Sequence, residues 1–143
     1  MRFVPGCTPI GTGPEIRLMD DATQNALDTD HLCDIVTTGR SSGKPRTAEI
    51  WFHRVGERFY ITGTPGPRGW LANMIADPEF TFRLKESITA DLPARATHIT
   101  DPSKRRRILS DISLSEPWYA QELGSIEPMI ASGPLVEVVF IDD

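Results

Sequence analysis

Short segments of the chain alternate apolar and polar residues, which is the pattern of a half-buried β-strand. The clearest of them is RTAEIWFHR (46–54), in which Ala48, Ile50 and Phe52 share one face. A tight turn separates it from a second strand-like segment, RFYITG (58–63). Two such segments joined by a tight turn predict an antiparallel β-hairpin.

Apolar residues elsewhere predict further strands and several short helices. The strands are expected at 31–38, 79–84, 87–99 and 134–141. The helices are expected at 15–27, from Trp70 to the Asp77–Pro78 pair, at 102–112 and at 115–124. Most neighbouring strands are joined by tight turns. This favours a mostly β fold, with about six antiparallel strands closed into a small barrel, over a parallel doubly wound sheet.

The length of 143 residues fits one domain. Residues 1–14 contain three prolines and three glycines and predict an irregular N-terminal arm, followed by a single domain at 15–143. No window of about 18 apolar residues could span a membrane. The N-terminal residues lack the apolar run of a secretory signal, so we expect a cytoplasmic protein. The three histidines and two cysteines show no ligand spacing, and no metal site is expected.

The net charge of −5 conceals a basic segment. Residues 36–70 carry six basic and two acidic side chains, whereas the segments on both sides are acidic. A local excess of positive charge in an acidic protein indicates a compact anionic ligand rather than a nucleic acid. A second basic run, KRRR (104–107), is expected to form a solvated helix face, so we predict no nucleic-acid partner.

Two loops of this basic segment have the composition of an anion-binding site. Glycines permit turns in which backbone N–H groups converge, hydroxyl groups add donors, and cations supply charge. The first loop and the strand after it contribute Gly39, Arg40, Ser41, Ser42, Gly43, Lys44 and Arg46, and the second loop contributes Thr62, Gly63, Thr64 and Arg68. The start of one hairpin arm lies beside the end of the other, so Arg46 is expected near Thr62–Thr64. A plain solvated hairpin loop is the alternative interpretation.

Three segments resemble the deazaflavin (F420)-dependent nitroreductase and quinone reductase family, within the pyridoxamine-phosphate-oxidase-like FMN-binding split-barrel group. They are VTTGRSSGKPRT (36–47), ERFYITG (57–63) and WLANMIADPEFTF (70–82). The resemblance implies a split β-barrel, a homodimer with the cofactor at or near the subunit interface, and hydride transfer from reduced F420. The acceptor would be a quinone, a nitro compound or another electron-poor small molecule.

The same resemblance assigns roles to residues. It implies that Lys44, Arg46 and the Gly39–Gly43 loop meet the anionic tail of the cofactor. It implies that Thr62, Gly63 and Thr64 line the middle of the cofactor, and Trp70 and Asn73 match the family's tryptophan and asparagine on a short helix.

The chain departs from the family pattern before and after Trp70. The preceding loop is shortened to PGPRG, with Arg68 as its only cation, and Leu71 stands where the family has a tyrosine. FMN is therefore an alternative cofactor, because its single phosphate needs fewer cations than the carboxylate-rich tail of F420. A non-catalytic module that holds a cofactor or small anion is a second alternative, and a split barrel that has lost its cofactor is a third.

In such an enzyme the cofactor carries the chemistry, and the protein must position its ring and exclude water. Trp51, Trp70, Trp118 and Tyr119 are candidates for the walls of that pocket. Tyr119 is the candidate catalytic residue, since its phenol could donate a hydrogen bond to a reduced oxygen. Core packing or a dimer contact is the alternative role for this Trp-Tyr pair. His53 is expected to be a surface residue of its strand, and a position near the cofactor or the partner subunit is the alternative.

Overall fold

The computed structural model describes residues 20–141. Its strands are β1 (Leu32–Thr38), β2 (Pro45–Val55), β3 (Arg58–Thr62), β4 (Glu79–Leu84), β5 (Ala90–His98) and β6 (Leu135–Phe140). Its helices are α1 (Asp21–Thr29), α2 (Gly69–Ala76), α3 (Pro102–Ser115), α4 (Trp118–Leu123) and α5 (Glu127–Ser132). The expected arm at 1–14 lies outside the described residues. Every helix of the described chain falls short of the length and apolarity that a membrane crossing requires.

The six strands form one closed antiparallel barrel in the order β1-β2-β3-β6-β5-β4, with β4 returning to pair with β1. Every strand pair in it is antiparallel. The predicted hairpin is β2–β3, and its turn contains Gly56 at φ +62°, a backbone conformation that favours glycine. The predicted mostly β, antiparallel barrel of about six strands is confirmed.

Local hydrogen bonds set element boundaries that apolar spacing did not predict. The Asp20 side chain accepts from the Thr23 N–H at 2.8 Å and caps α1, which begins at Asp21, whereas residues 15–19 of the predicted helix lie outside the described chain. Strand β5 begins at Ala90 and not at 87. The reason is that the Ser87 N–H and hydroxyl both donate to Asp30 Oδ2, at 3.1 and 3.0 Å. Helix α5, of six residues, was not predicted.

Phenylalanine side chains from four strands fill the barrel with edge-to-face contacts. Phe82 is fully buried, and its ring centroid lies 5.0 Å from that of Phe52 and 5.2 Å from that of Phe140. Phe59 and Phe140 meet at 5.5 Å. Such rings have preferred relative orientations, and truncating a buried one costs about 3–5 kcal/mol. This core makes the barrel a rigid support for the loops that connect its strands.

A second apolar cluster lies outside the barrel, where α3, α4 and α5 cover β3. Phe59 and Ile61 belong to the interior core, and Tyr60 between them packs in the second cluster with Ile108 and Tyr119. Both faces of this strand are therefore buried. A sheet face covered by helices shows no polar alternation, which explains why His53 on the neighbouring strand is buried. The prediction of a surface position for His53 was wrong.

The guanidinium of Arg105, on α3, forms hydrogen bonds that link this helix to α5. The group donates to four backbone oxygens: Ile99 at 2.9 Å, Met129 at 2.7 Å, Ile130 at 2.9 Å and Gly133 at 2.5 Å. Three of these carbonyls belong to the C-terminal turn of α5 and the residue after it, where helical partners are missing. Burial lowers the pKa of Arg105. The expectation of a solvated basic face at 104–107 was wrong for this residue, which is 8% exposed.

Replacing Arg105 with leucine is expected to lower the free energy of unfolding by at least about 3 kcal/mol, because buried carbonyls would lose a charged donor. Urea denaturation followed by circular dichroism measures the change. Arg107, on the same helix, is exposed, and Arg107→Leu is the matched control, with an expected change within about 0.5 kcal/mol. Equal effects of the two variants would show that the four hydrogen bonds do not carry stability.

Candidate functional site

Within residues 20–141, one edge of β2 has no strand partner over most of its length. Residues 45–51 pair with β1, whereas only 52–55 pair with β3 on the other side. The mismatch arises because β2 has eleven residues and β3 five. Two cavities lie along the free part of the strand. We call them the loop cavity, which includes residues 46–48, and the aromatic cavity, which includes residues 49–51.

The loop cavity has a volume of about 490 Å³ and carries most of the polar candidates. Its lining comprises Thr37, Gly39, Arg40, Ser41, Ser42, Arg46, Thr47, Ala48, Gly69, Trp70 and Asn73. Seven of the predicted cofactor-binding residues are therefore brought together around one space. Lys44 lines neither of the two cavities, and Gly43 lines a different, more acidic depression beside Asp77 and Glu79.

The loop between β1 and β2 is held in shape by its own backbone. Gly39 N–H donates to Lys44 O at 2.8 Å, and Gly43 N–H donates to Gly39 O at 2.8 Å. A Cβ on Gly39 would lie 2.6 Å from Ser42 Oγ and 3.2 Å from Lys44 O, so a side chain there would require Ser42 to move. The same point lies 3.5 Å from Arg46 Nε, which places the Arg46 guanidinium beside the loop. The result is a compact turn with a cation at its side.

Asn73 connects this loop to α2. Its Nδ2 donates to Thr37 Oγ1 at 3.0 Å, while its Oδ1 accepts from the Arg40 N–H at 3.1 Å. Thr37 is 2% and Asn73 6% exposed, so the two side chains form a buried polar bridge. Asn73 therefore orients the loop, and its oxygen is already in use inside the protein.

The cations of this loop have no carboxylate partners within residues 20–141. Arg40, Lys44 and Arg46 are exposed and form no ion pair there. Six basic residues elsewhere in the described chain do form ion pairs: Arg54, Arg58, Arg83, Lys85, Arg95 and Arg106. In the described part of this acidic protein, positive charge beside the loop cavity is thus left without ion-pair partners, which favours an anionic ligand there.

The aromatic cavity has a volume of about 580 Å³ and brings together all four predicted wall residues. Its lining comprises Glu49, Ile50, Trp51, Thr62, Gly63, Thr64, Arg68, Trp70, Glu116, Trp118 and Tyr119. Trp70 lines both cavities and lies where they adjoin. Indole and phenol surfaces suit a flat aromatic ligand, which can stack on them.

Arg68 fixes the second loop instead of projecting freely into the cavity. Its Nη2 donates to Thr64 O at 2.9 Å and to Thr64 Oγ1 at 3.0 Å, and its Nη1 donates to Gly66 O at 3.2 Å. The Thr62 hydroxyl donates to Pro134 O at 2.5 Å. Thr62, Thr64 and Arg68 line the aromatic cavity, as predicted for a binding site. Their polar side-chain atoms, however, form hydrogen bonds within the cavity wall itself.

Tyr119 forms a hydrogen bond with His53, which the sequence analysis did not include among the candidate site residues. His53 Nε2 lies 3.0 Å from Tyr119 Oη, and the rings meet edge to face at 5.5 Å. Desolvation lowers the pKa of His53 to about 4, with His31 a smaller cause in the same direction. Desolvation, with the nearby Glu116 carboxylate adding to it, raises the pKa of Tyr119 to about 12. Both side chains are therefore neutral at physiological pH.

The expected proximity of Arg46 to Thr62–Thr64 through the hairpin was wrong. Arg46 is in register with Thr37 of β1, and the hairpin pairing reaches only Phe52 opposite Ile61. The two loops border adjoining cavities because β2 and Trp70 extend between them. The length of β2 relative to β3 could not be deduced from alternation, which continues through residue 54 on one arm and ends at 63 on the other.

Known structures share this fold at low sequence identity. An F420-H2 dependent reductase, FDR-A, is 18% identical, with 76% of this chain and 94% of that chain covered and a TM-score of 0.57. A Listeria innocua protein proposed to be a pyridoxamine 5′-phosphate oxidase is 16% identical, with 85% and 93% covered and a TM-score of 0.61. A structure described as a domain-swapped dimer is 17% identical, with 76% and 80% covered and a TM-score of 0.56. These likenesses confirm the split-barrel fold expected from the resemblance.

Sequence comparison identifies the family. No curated protein sequence matches the chain. The model of one family, F420H(2)-dependent quinone reductase, matches residues 21–125, well over half of the chain and including both cavity-forming loops. The chain belongs to the F420H(2)-dependent quinone reductase family.

Proposed function

We propose that this protein binds reduced F420 along the free edge of β2 and reduces an electron-poor small molecule, such as a quinone or a nitro compound. The observation that carries the proposal is a pair of adjoining cavities. One is bordered by cations that form no ion pair within residues 20–141, and the other is bordered by aromatic rings. A cofactor with a charged tail and a flat ring system needs both surfaces next to each other. Family membership supports the choice of cofactor.

The residues of the loop cavity fit the anionic tail of F420. Arg40 and Arg46 border the cavity and have no carboxylate partner among residues 20–141, and Ser41 and Ser42 add exposed hydroxyl donors. Guanidinium groups can bind phosphate or carboxylate oxygens through two parallel hydrogen bonds. Arg46 stands on β2, where strand pairing restricts its backbone. These are the residues that would hold the tail, with Lys44 contributing charge from outside the cavity.

When bound, reduced F420 supplies a hydride, and an acceptor such as a quinone takes up that hydride and one proton to become the hydroquinone. The chain's part is to bind and orient the two molecules. Trp70 borders both cavities and would separate the tail from the ring, while Trp51, Trp118 and Tyr119 form an apolar wall for the acceptor. Water is displaced from these surfaces when the cavity is filled, which protects the hydride from side reactions. Tyr119 would donate a hydrogen bond to the acceptor oxygen.

We propose further that the protein is a homodimer. Trp51 and Trp118, at the border of the aromatic cavity, are 50% and 49% exposed, which is unusual for large aromatic side chains. A second copy could cover them, and the similarity to a domain-swapped dimer supports this arrangement. The expected cytoplasmic location stays a prediction from the sequence.

Sedimentation equilibrium is expected to give twice the chain mass of 15.9 kDa at micromolar concentration. Trp118→Ser should shift the equilibrium toward monomer, because less apolar surface would be buried between the subunits. Leu114→Ser removes an exposed side chain that lines neither cavity and serves as the control. A monomer at all concentrations would contradict the dimer and leave the reductase proposal in place.

Purified protein is expected to bind F420 and to oxidise its reduced form when a quinone is added. Quenching of F420 fluorescence measures binding, and recovery of the absorption of oxidised F420 measures turnover. Parallel titration with FMN tests the alternative cofactor. Binding of FMN alone would replace F420 in the proposal. Binding of F420 without turnover of quinones or nitro compounds would favour a non-catalytic module.

Arg46→Gln is expected to raise the dissociation constant for F420 at least about tenfold, because one charged hydrogen-bonding group is lost. Lys44→Gln, in the same loop and with the same loss of charge, lies outside the cavity lining and should change it less than about threefold. Thermal unfolding of both variants should match the unmodified protein. Equal weakening by both changes would mean that only the net charge of the loop matters.

A further inference from the structure

A buried hydrogen bond links the barrel wall to the lining of the aromatic cavity. His53, on β2, is 6% exposed, and Tyr119, on α4, is 7% exposed. The 3.0 Å contact between Nε2 and Oη is the one hydrogen bond of each side chain within residues 20–141. Neither the family assignment nor the alternation of β2 gives His53 a role.

The burial of His53 indicates which ring nitrogen carries the proton. A neutral imidazole has one N–H, either at Nδ1 or at Nε2. Nδ1 has no hydrogen-bond partner among the described residues, and His53 lines neither cavity, so within residues 20–141 a proton at Nδ1 would find no acceptor. An Nε2–H proton has the Tyr119 oxygen as its acceptor and leaves the Tyr119 hydroxyl as the donor to be satisfied. Tyr119 lines the aromatic cavity, where solvent or a ligand can accept that proton, so the Nε2–H tautomer is favoured.

This tautomer decides where the phenol proton of Tyr119 can go. With His53 donating to Oη, the hydroxyl hydrogen needs another acceptor, and the described chain offers none. Tyr119 lines the aromatic cavity, so a ligand there is the available acceptor. A donor to Oη also stabilises the negative charge that develops on the phenol oxygen as it gives up its proton.

We infer that His53 is a positioning residue for Tyr119, whose oxygen accepts the Nε2–H and whose own proton is thereby directed to an acceptor molecule in the aromatic cavity. This inference rests on the proposed reductase function. In the balanced step, the acceptor gains a hydride from the reduced cofactor and a proton from Tyr119. The second hydrogen of the reduced cofactor passes to solvent as a proton, and the tyrosine regains its proton from solvent when the product leaves. His53 stays neutral throughout.

The tautomer can be measured on the unmodified protein without any cofactor. In ¹⁵N-labelled protein at pH 7, long-range ¹H–¹⁵N correlation spectra distinguish a protonated Nε2 from a protonated Nδ1. We expect His53 to be in the Nε2–H form. The Nδ1–H form would overturn the inference, because the phenol would then donate to the histidine and not to the cavity.

Variants test the consequence for catalysis. His53→Leu is expected to lower kcat for quinone reduction about tenfold and to leave the F420 dissociation constant within about twofold, since the residue lines neither cavity. His53→Gln can donate an amide N–H near the position of Nε2 and should recover most of the rate. Tyr119→Phe should lower kcat at least as much, and adding His53→Leu to it should cost little more.

Additive losses in the double variant, or a rate in His53→Gln as low as in His53→Leu, would mean that His53 acts through packing alone and would overturn the inference. Should His53→Leu fail to fold, the tautomer measurement still decides. Lack of any reductase activity in the unmodified protein would instead contradict the proposed function. An Nδ1–H histidine in an active enzyme would contradict this inference alone.

Discussion

The unequal lengths of β2 and β3 shape the part of this barrel that could bind a ligand. Among the residues that the structure describes, seven residues of β2, 45–51, pair on one side only, so the backbone there has an edge without a strand partner beside the two cavities. An edge of that kind is usually protected or covered. In this protein the loop after β1, helix α2 and helix α4 border it and leave the two cavities. Positive charge lies at one end of the edge and aromatic surface at the other.

Interactions far from the cavities hold their walls in place. The Arg105 guanidinium binds the last carbonyls of α5 and Gly133 O, which fixes the chain as it enters β6. The next residue accepts the Thr62 hydroxyl, and a Cβ on Gly133 would lie only 3.1 Å from Gly63 O. The cavity wall at 62–64 is thus connected to the buried Arg105 through residues 133 and 134, which restricts its movement. Preorganisation of this kind reduces the entropy that ligand binding must overcome.

Sequence patterns predicted the barrel well because its strands and turns are determined mainly by residues close together in the sequence. Alternation identified the β2–β3 hairpin, and tight turns indicated antiparallel neighbours. Candidate residues were found where composition alone is informative, as in the loop with Gly39 and Arg46. The misjudged residues are those whose environment comes from distant segments. His53 and Arg105 look like surface residues in their own strand and helix, and helices packed from elsewhere bury both.

The proposed function depends on the cations beside the loop cavity binding the anionic tail of the cofactor. The most direct test compares the affinity for F420 with that for the same deazaflavin carrying only its ribityl chain, which lacks the phosphate and carboxylates, at low and high salt. The truncated molecule is expected to bind at least about tenfold more weakly, and only F420 should lose affinity as salt rises. Equal affinities for the two molecules, both insensitive to salt, would contradict this claim.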